Sequence, residues 1–335
     1  MIRSILRSRE LSIFLAFTIL VVVTCLVNPK FVFSIDGWRD LWVTPSIVLV
    51  LAVGQAFVII SKNVDLSVGS VMGLSAFVVG LMNAAWIGMP PLLTFLASIS
   101  IGALLGLFNG ALVAIAKVPG MVISLGTMYA YRGFLVVLAG SRRINASELN
   151  PDLLALGVAS VPVVRIPYIT LIAVALLIVA AWYLRNTRSG REFYAIGSGP
   201  EAAELYGLKI RTRMLASFII SGACAGLAGA LYAARYGTIS SGAGTGFELQ
   251  AIGAAVIGGV AIVGGSGTVI GAAAGALLLT TIGRSLPILG IQDFWQKAVL
   301  GALILSAIIL DRVLANRTAK RLIAERLVET QRRQT

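Results

Sequence analysis

LWVTPSIVLVLAVGQAFVII, residues 41–60, contains no charged side chain. The hydrocarbon core of a bilayer is about 30 Å thick, and a helix needs about 20 mainly apolar residues to cross it. Across all 335 residues, 58% are hydrophobic and 12% are charged. A soluble domain carries about 25% charged residues. The composition therefore predicts an integral membrane protein.

Apolar runs of similar length recur along the chain and predict about ten membrane-spanning helices. The predicted spans are residues 11–27, 41–60, 66–86, 92–116, 121–140, 168–184, 214–234, 249–264, 267–283 and 294–311. Backbone polar groups have no water to bind inside hydrocarbon, so each run must form a whole or a broken helix. The sequence therefore predicts an all-α membrane protein with one polytopic domain over residues 1–313 and a basic tail over residues 314–335.

Lysine and arginine concentrate ahead of the first predicted span, between the sixth and seventh spans, and after the tenth. Positively charged segments stay on the cytoplasmic side of a membrane. Because six spans separate the first two regions and four separate the last two, all three share one side. The pattern predicts cytoplasmic termini and a tail that lies against anionic membrane lipid, and it explains the net charge of +13 without nucleic acid.

Composition also excludes several kinds of site. The chain contains no histidine, so it cannot assemble a Ser-His-Asp triad or a histidine-containing metal site. No glycine is followed by lysine, so the phosphate-binding loop G-x-x-x-x-G-K-[ST] is missing. We expect no catalytic residue, no metal and no cofactor in this chain. If ATP drives the protein, a partner must hydrolyse it.

GSGPEAAELYGLKIRTR, residues 197–213, lies in the basic region between spans six and seven and predicts a very short helix. Gly199 or Ser198 suits the N-cap, and Pro200 suits the first helical position. Glu201 complements the positive end of the helix dipole, and Gly207 suits the C-terminal stop. A helix of about seven residues is not stable alone in water, so this one must dock on something.

The same short helix carries one apolar face. Ala202, Leu205 and Tyr206 lie at the i, i+3, i+4 spacing that brings side chains together. This face either packs beneath the chain's own membrane domain or fits a groove on a partner, and the residues alone leave both possibilities open.

The segment EAAELYG, residues 201–207, resembles the coupling loop of permease subunits in ATP-binding-cassette importers, whose short helix sits in a groove on the ATPase. Other stretches are similar to carbohydrate permeases of the ribose, rhamnose and autoinducer importers, namely NVDLSVGSVMGL, KVPGMVISLGTMYAYRG, TRSGREFYAIGSGPEAAELYGL, GAGTGFELQAIGAAVIGGVAIVGGSGTVIGA and FWQKAVLGALIL. Two positions depart from the pattern. Ser198 to Pro200 stand where many relatives have Gly-Asn, and Gln250 stands where many have an acid.

The resemblance implies a type II importer-like permease for a small sugar or sugar-like substrate in the bacterial cytoplasmic (inner) membrane. The implied partners are a second copy or a similar permease, ATPase subunits that bind ATP and Mg, and a periplasmic or extracellular sugar-binding protein. ATPase coupling is assigned to loop 197–209, with these residues: Gly199, Pro200, Glu201, Ala202, Ala203, Leu205, Tyr206 and Gly207. An ion-coupled secondary transporter and an amino-acid-importing permease of the same superfamily remain alternatives.

Seven polar residues are candidates for a translocation pathway or gate: Asp65, Ser67, Asn109, Arg132, Thr245, Glu248 and Gln250. Asp65 falls at the cytoplasmic start of span three, where it either caps the first helical turn or acts as a gate. Asn109 is expected to pair across helices. Arg132, within span five, either snorkels to the outer surface or faces another span.

TGFE, residues 245–248, fits a capping box at the outer start of span eight, in which Thr245 caps the helix and Glu248 reaches back. Glu248 and Gln250 also lie where an outer mouth could meet a hydroxylated substrate. The largest outer loop, residues 141–167, is a candidate surface for receiving the binding protein, and an ordinary solvated connection is the alternative.

Overall fold

The computed structural model describes residues 9–309 except 117, 163, 293, 296, 300, 304, 307 and 308. The helices bounded by described residues are, in chain order, α1 (Arg9–Val27), α2 (Lys30–Phe33), α3 (Ile35–Ile60), α4 (Val68–Ala85), α5 (Pro91–Ala116), α6 (Gly120–Ala139), α7 (Pro151–Val158), α8 (Tyr168–Asn186), α9 (Arg188–Ser198), α10 (Pro200–Leu205), α11 (Ile210–Tyr236), α12 (Phe247–Ile257) and α13 (Val269–Ile288). A 3₁₀ turn, Ala146–Glu148, precedes α7. The predicted all-α class is confirmed.

Seven helices of the described chain are long and apolar enough to cross a bilayer, namely α3, α4, α5, α6, α8, α11 and α13. Each corresponds to one predicted span. The apolar part of α1, Leu11–Val27, is slightly shorter than the other seven. The tenth predicted span, residues 294–311, lies partly outside the described residues, and the tail, residues 314–335, lies wholly outside them. The total of ten spans and the location of both termini stay predictions.

The helices begin and end where local chemistry satisfies their free backbone groups. Ser34 caps α3, its hydroxyl accepting from the Gly37 amide at 2.9 Å, so that helix begins six residues before the predicted span. Thr268 caps α13 in the same way, accepting from the Gly271 amide at 2.9 Å.

The core of the bundle consists of α3, α4, α11 and α13, whereas α5, α6 and α8 expose broad apolar faces. Helices α5 and α11 pack backbone against backbone. A Cβ added at Gly102 would overlap the carbonyl oxygen of Gly222, and one added at Gly222 would overlap that of Gly102. Only glycine permits this approach, which is the packing role expected of small residues four apart in membrane helices.

Residues 249–264 do not form one continuous helix, so of the two predicted forms this span takes the broken one. The chain turns at Gly237 and descends without helix as far as Gly246, and only then does α12 run for eleven residues. The descending segment lies along α4, with Ile239 beside Gly80 and Ala243 beside Gly73. Non-helical backbone is tolerated at membrane depth when protein buries it, and here α4 does so. This span is therefore a broken helix.

Candidate functional site

The short helix α10 presents its apolar face away from the chain. Leu205 is 89% exposed and Tyr206 is 86% exposed, whereas Ala203 is 5% exposed and packs inward. Ala202 is also exposed. The alternative that this face packs beneath the chain's own membrane domain is therefore wrong. The structure instead offers two large apolar side chains to a neighbour.

The predicted ends of α10 are confirmed. Gly199 is the N-cap and Pro200 the first helical residue, and the helix ends at Leu205. The amide of Leu208 donates to the Ala203 carbonyl at 3.0 Å, and Gly207 adopts a φ of 75°. This C-terminal stop requires a left-handed residue, which glycine supplies without strain.

Helix α9, which the sequence did not predict, ties α10 to the membrane helices. Glu192 of α9 accepts from Arg213 Nε of α11 at 2.6 Å and from Arg188 Nε at 3.2 Å. Arg213 also donates to Ser189 at 2.5 Å. Hydrogen bonding to Arg213, aided by the charges of both arginines, holds the pKa of Glu192 below its usual value. This ion pair ties α9 to the first turn of α11.

The end of α9 touches two other chain segments at one point. A Cβ added at Gly197 would overlap the Ile60 carbonyl oxygen, at the end of α3, and would lie 2.5 Å from the Gly265 amide nitrogen. Gly265 itself donates to the Ile60 carbonyl at 2.9 Å. Tyr194 donates to the Gly267 carbonyl at 3.0 Å, in the loop between α12 and α13. We call this meeting of Gly197, Ile60 and Gly265 the α9 junction.

A second feature is a buried polar cluster around Asp65. One carboxylate oxygen, Oδ1, accepts from the Ser67 amide at 2.9 Å and from its hydroxyl at 2.7 Å. The other, Oδ2, accepts from the Ser221 hydroxyl of α11 at 2.9 Å. Ser67 in turn accepts from Asn109 of α5 at 2.8 Å, and Tyr131 of α6 donates to Asn109 at 2.9 Å. The cluster therefore joins three helices to the segment between α3 and α4.

This cluster lies well inside the bundle. Ser221 is eleven residues beyond the start of α11, about 16 Å along the axis at 1.5 Å per residue. Asp65 is 1% exposed, and Ser67 and Asn109 are fully buried. No arginine or lysine in the described part of the chain forms an ion pair with Asp65. These three candidates are buried among the helices of the bundle, and their part in a translocation pathway or gate stays a prediction.

The prediction that Asp65 caps the first turn of α4 is wrong in detail. The N-cap of α4 is Ser67, whose side chain makes no capping bond, and Asp65 binds the amide of the N-cap itself. Asn109 pairs across helices as predicted.

The remaining candidates lie on α6 and at the start of α12. Arg132 donates to the Ala243 carbonyl at 2.6 Å, so it faces another span, as one of its two predicted interpretations required. Glu248 Oε1 accepts from the Gly246 amide at 3.1 Å, and its other oxygen is buried with no hydrogen-bond partner among the described residues. Gln250 is half-buried.

The predicted capping box at Thr245 is wrong. Gly246 is the N-cap of α12, with a φ of 87°, and Thr245 is exposed and does not cap the helix. Glu248 does reach back, but to Gly246. Glu248 lies against Gly69 in the first turn of α4, and a meeting of Glu248 and Gln250 with a hydroxylated substrate stays a prediction.

The outer loop is folded. Asn145 and Glu148 form a capping box around the 3₁₀ turn, and Arg142 pairs with Glu148 at 2.7 Å. Leu149 and Leu153 are buried. Reception of a binding protein by this loop stays a prediction.

The family described as "Branched-chain amino acid transport system / permease component" matches residues 40–308. The chain belongs to this permease family. The permease is thus a translocation subunit of a multi-pass membrane importer, not an enzyme. Its membership implies an ATPase and a binding protein as partners in general.

Curated relatives cover nearly the whole permease. The autoinducer 2 import system permease protein LsrC of Enterobacter sp. (strain 638) is 36% identical over 308 residues, covering 90% of this chain and 86% of that relative. LsrC of Shigella flexneri is 34% identical, covering 91% of this chain and 87% of the relative. LsrC of Yersinia pseudotuberculosis (serotype O:1b) is also 34% identical, with 91% and 85% covered. No solved structure matches.

Sequence reasoning missed several residues of this permease that the structure brings together. Ser221 and Tyr131 in the Asp65 cluster lie within apolar runs and carry no local signal of their partners. Gly197 and Tyr194 were missed because α9 was not recognised as a helix. The alternation of Phe193 and Ile196, both buried, with the charged residues of α9 is the pattern that would have revealed it.

Proposed function

We propose that this permease imports a small sugar-like molecule of the autoinducer 2 kind, and that a partner ATPase which binds α10 drives the import. The exposed Leu205 and Tyr206 carry the proposal, because a groove on the ATPase would bury them both. The substrate class is supported by the autoinducer 2 import permeases that are 34–36% identical over about nine-tenths of the chain.

ATP and Mg bind to the partner in this proposal, and the permease supplies only mechanical parts. A displacement of α10 moves α9, since one residue, Gly199, separates the two helices. At the α9 junction the displacement reaches the end of α3 and the loop between α12 and α13. Both segments lead into non-helical stretches, which bend more easily than continuous helices. A second copy of the chain or a similar permease completes the passage.

Reconstitution tests the proposal. Liposomes containing the permease, its ATPase and its binding protein should accumulate labelled autoinducer 2 only with ATP. Tyr206→Asp should abolish uptake and release the ATPase from the purified complex, because a charge in an apolar groove is costly. Tyr236, which is 45% exposed at the far end of α11, provides the control as Tyr236→Phe.

Two outcomes would contradict the proposal. Uptake by the permease without any ATPase would establish secondary transport. Competition by leucine but not by sugars would assign the substrate to the branched-chain amino acids named in the family's description.

A further inference from the structure

A groove opens on the side of the molecule that carries α10, between the end of α8, the start of α13 and one face of α9. Its volume is about 770 Å³. Ten residues line it: Ala181, Trp182, Leu184, Arg185, Asn186, Arg191, Tyr194, Thr268, Val269 and Ile270. None of them belongs to α10, the α9 junction or the Asp65 cluster.

The groove contains two arginines that no carboxylate neutralises within the described residues. Arg191 donates only to the Asn186 carbonyl, at 3.3 Å, and Arg185 in the last turn of α8 forms no ion pair there. On the other face of α9, by contrast, Glu192 neutralises both Arg188 and Arg213. The groove therefore concentrates positive charge that the described residues leave unbalanced.

The rest of the lining is apolar and aromatic. Leu184 and Val269 are buried and form the floor, whereas Trp182 and Ile270 are 60% and 56% exposed at the edge. Trp, Tyr and Arg at the end of a membrane helix are typical of the level at which lipid headgroups meet hydrocarbon. The groove thus combines a cationic end with an apolar wall.

We propose that this groove binds one anionic phospholipid, with its phosphate between Arg185 and Arg191 and an acyl chain along Trp182 and Ile270. The side that carries α10 is the cytoplasmic one if α10 meets an ATPase, so the choice of leaflet rests on the proposed function. The chain's own tail, residues 314–335, is a poor occupant because it is itself basic. A lipid seated here braces α8 against α13, next to the Tyr194 contact with Gly267.

Native mass spectrometry of the purified full-length permease tests the proposal with dioleoyl phosphatidylglycerol as the probe. The permease should retain one phosphatidylglycerol in preference to phosphatidylcholine. Arg185→Gln with Arg191→Gln should weaken phosphatidylglycerol binding about 30-fold, the factor expected for two basic side chains near an anionic headgroup. Arg188→Gln, on the other face of α9, should change it less than twofold.

The variant with lysine at both positions, Arg185→Lys with Arg191→Lys, keeps both charges and should retain most of the binding, which separates lost charge from misfolding. Glycerol 3-phosphate, which has the phosphate but no acyl chain, should not compete. Equal retention of phosphatidylcholine, or unchanged binding by the double glutamine variant, would overturn the proposal. So would binding that appears only after residues 314–335 are deleted, because the tail would then fill the groove. The measurement uses no ATPase, so its failure leaves the role of α10 untouched.

Discussion

Gly197→Ala is the substitution that most directly tests transmission through the α9 junction. The new Cβ would overlap the Ile60 carbonyl oxygen and lie 2.5 Å from the Gly265 nitrogen, whereas real Cβ contacts stay above 3.0 Å. Because the Ile60 oxygen would lie only 1.8 Å from the new Cβ, the junction must open there by about 1.2 Å or more. Overpacking of this kind costs about 1–3 kcal/mol, and alanine returns up to about 1 kcal/mol of helix propensity.

We expect a net loss of about 1–2 kcal/mol at the junction, which corresponds to roughly a 5- to 30-fold change in an equilibrium that depends on it. ATP-driven uptake into liposomes should fall by about that factor. Binding of the ATPase should persist, because the exposed face of α10 is unchanged. The two readouts together separate lost transmission from lost docking.

Gly126→Ala in α6 provides the matched control, since nothing lies within 4 Å of its added Cβ. This variant should transport normally. If Gly197→Ala also transported at the parent rate, the end of α9 would not be the element that carries motion from α10 to the membrane helices. If it lost ATPase binding as well, the effect would lie in the docking surface.

Three further substitutions have defined outcomes. Asp65→Ala should lower the thermal unfolding temperature in detergent far more than Asp65→Asn. Asparagine keeps an acceptor for the two serine partners, whereas alanine leaves their buried hydroxyls unpaired, at about 1–3 kcal/mol each. Equal losses would contradict the stabilising role of the Asp65 cluster. Glu192 has a lowered pKa when folded, so its contribution to stability is present above its unfolded pKa of about 4.3 and is lost as the pH falls through the folded value. Glu192→Gln should remove that part of the acid dependence of unfolding, and an identical pH profile would refute the ion pair with Arg213. Gly102→Ala should destabilise the protein because its Cβ meets the Gly222 backbone, whereas Gly126→Ala should stabilise it by about 0.5–1 kcal/mol, and shifts of the same sign would refute the helix contact.

Hydropathy predicted the long helices because the signal is local: a run of about 20 apolar residues has few alternatives in a bilayer. Helix α5, for example, begins and ends within one residue of its predicted span. The ends of α10 could also be predicted from the sequence, since proline at the first helical position and glycine after the last turn have strong positional preferences, as at Pro200 and Gly207. These features depend on neighbours in sequence, which a single chain displays.

The break in span eight depends instead on tertiary packing. Glycines recur in that region, but glycine serves a close helix contact, as at Gly102, as well as a broken backbone, as at Gly246. Only the presence of α4 alongside determines which role applies. The partners of Asp65 were hidden for the same reason, because Ser221 lies 156 positions away in sequence.

Two non-helical stretches, one between α3 and α4 and one before α12, meet at the first turn of α4. This arrangement connects the polar candidates to the α9 junction. Asp65 lies five residues beyond Ile60, and Glu248, in the first turn of α12, lies against Gly69. Helix α12 joins Glu248 to the loop that holds Gly265, so both acids are reached from the junction by short paths. A displacement that separates Gly265 from Ile60 should therefore change the distance between Glu248 and α4. A pair of spin labels, one at the exposed Thr245 and one at Met82 in the last turn of α4, would measure this change during ATP turnover. A constant distance between the labels would mean that α12 does not move with α9.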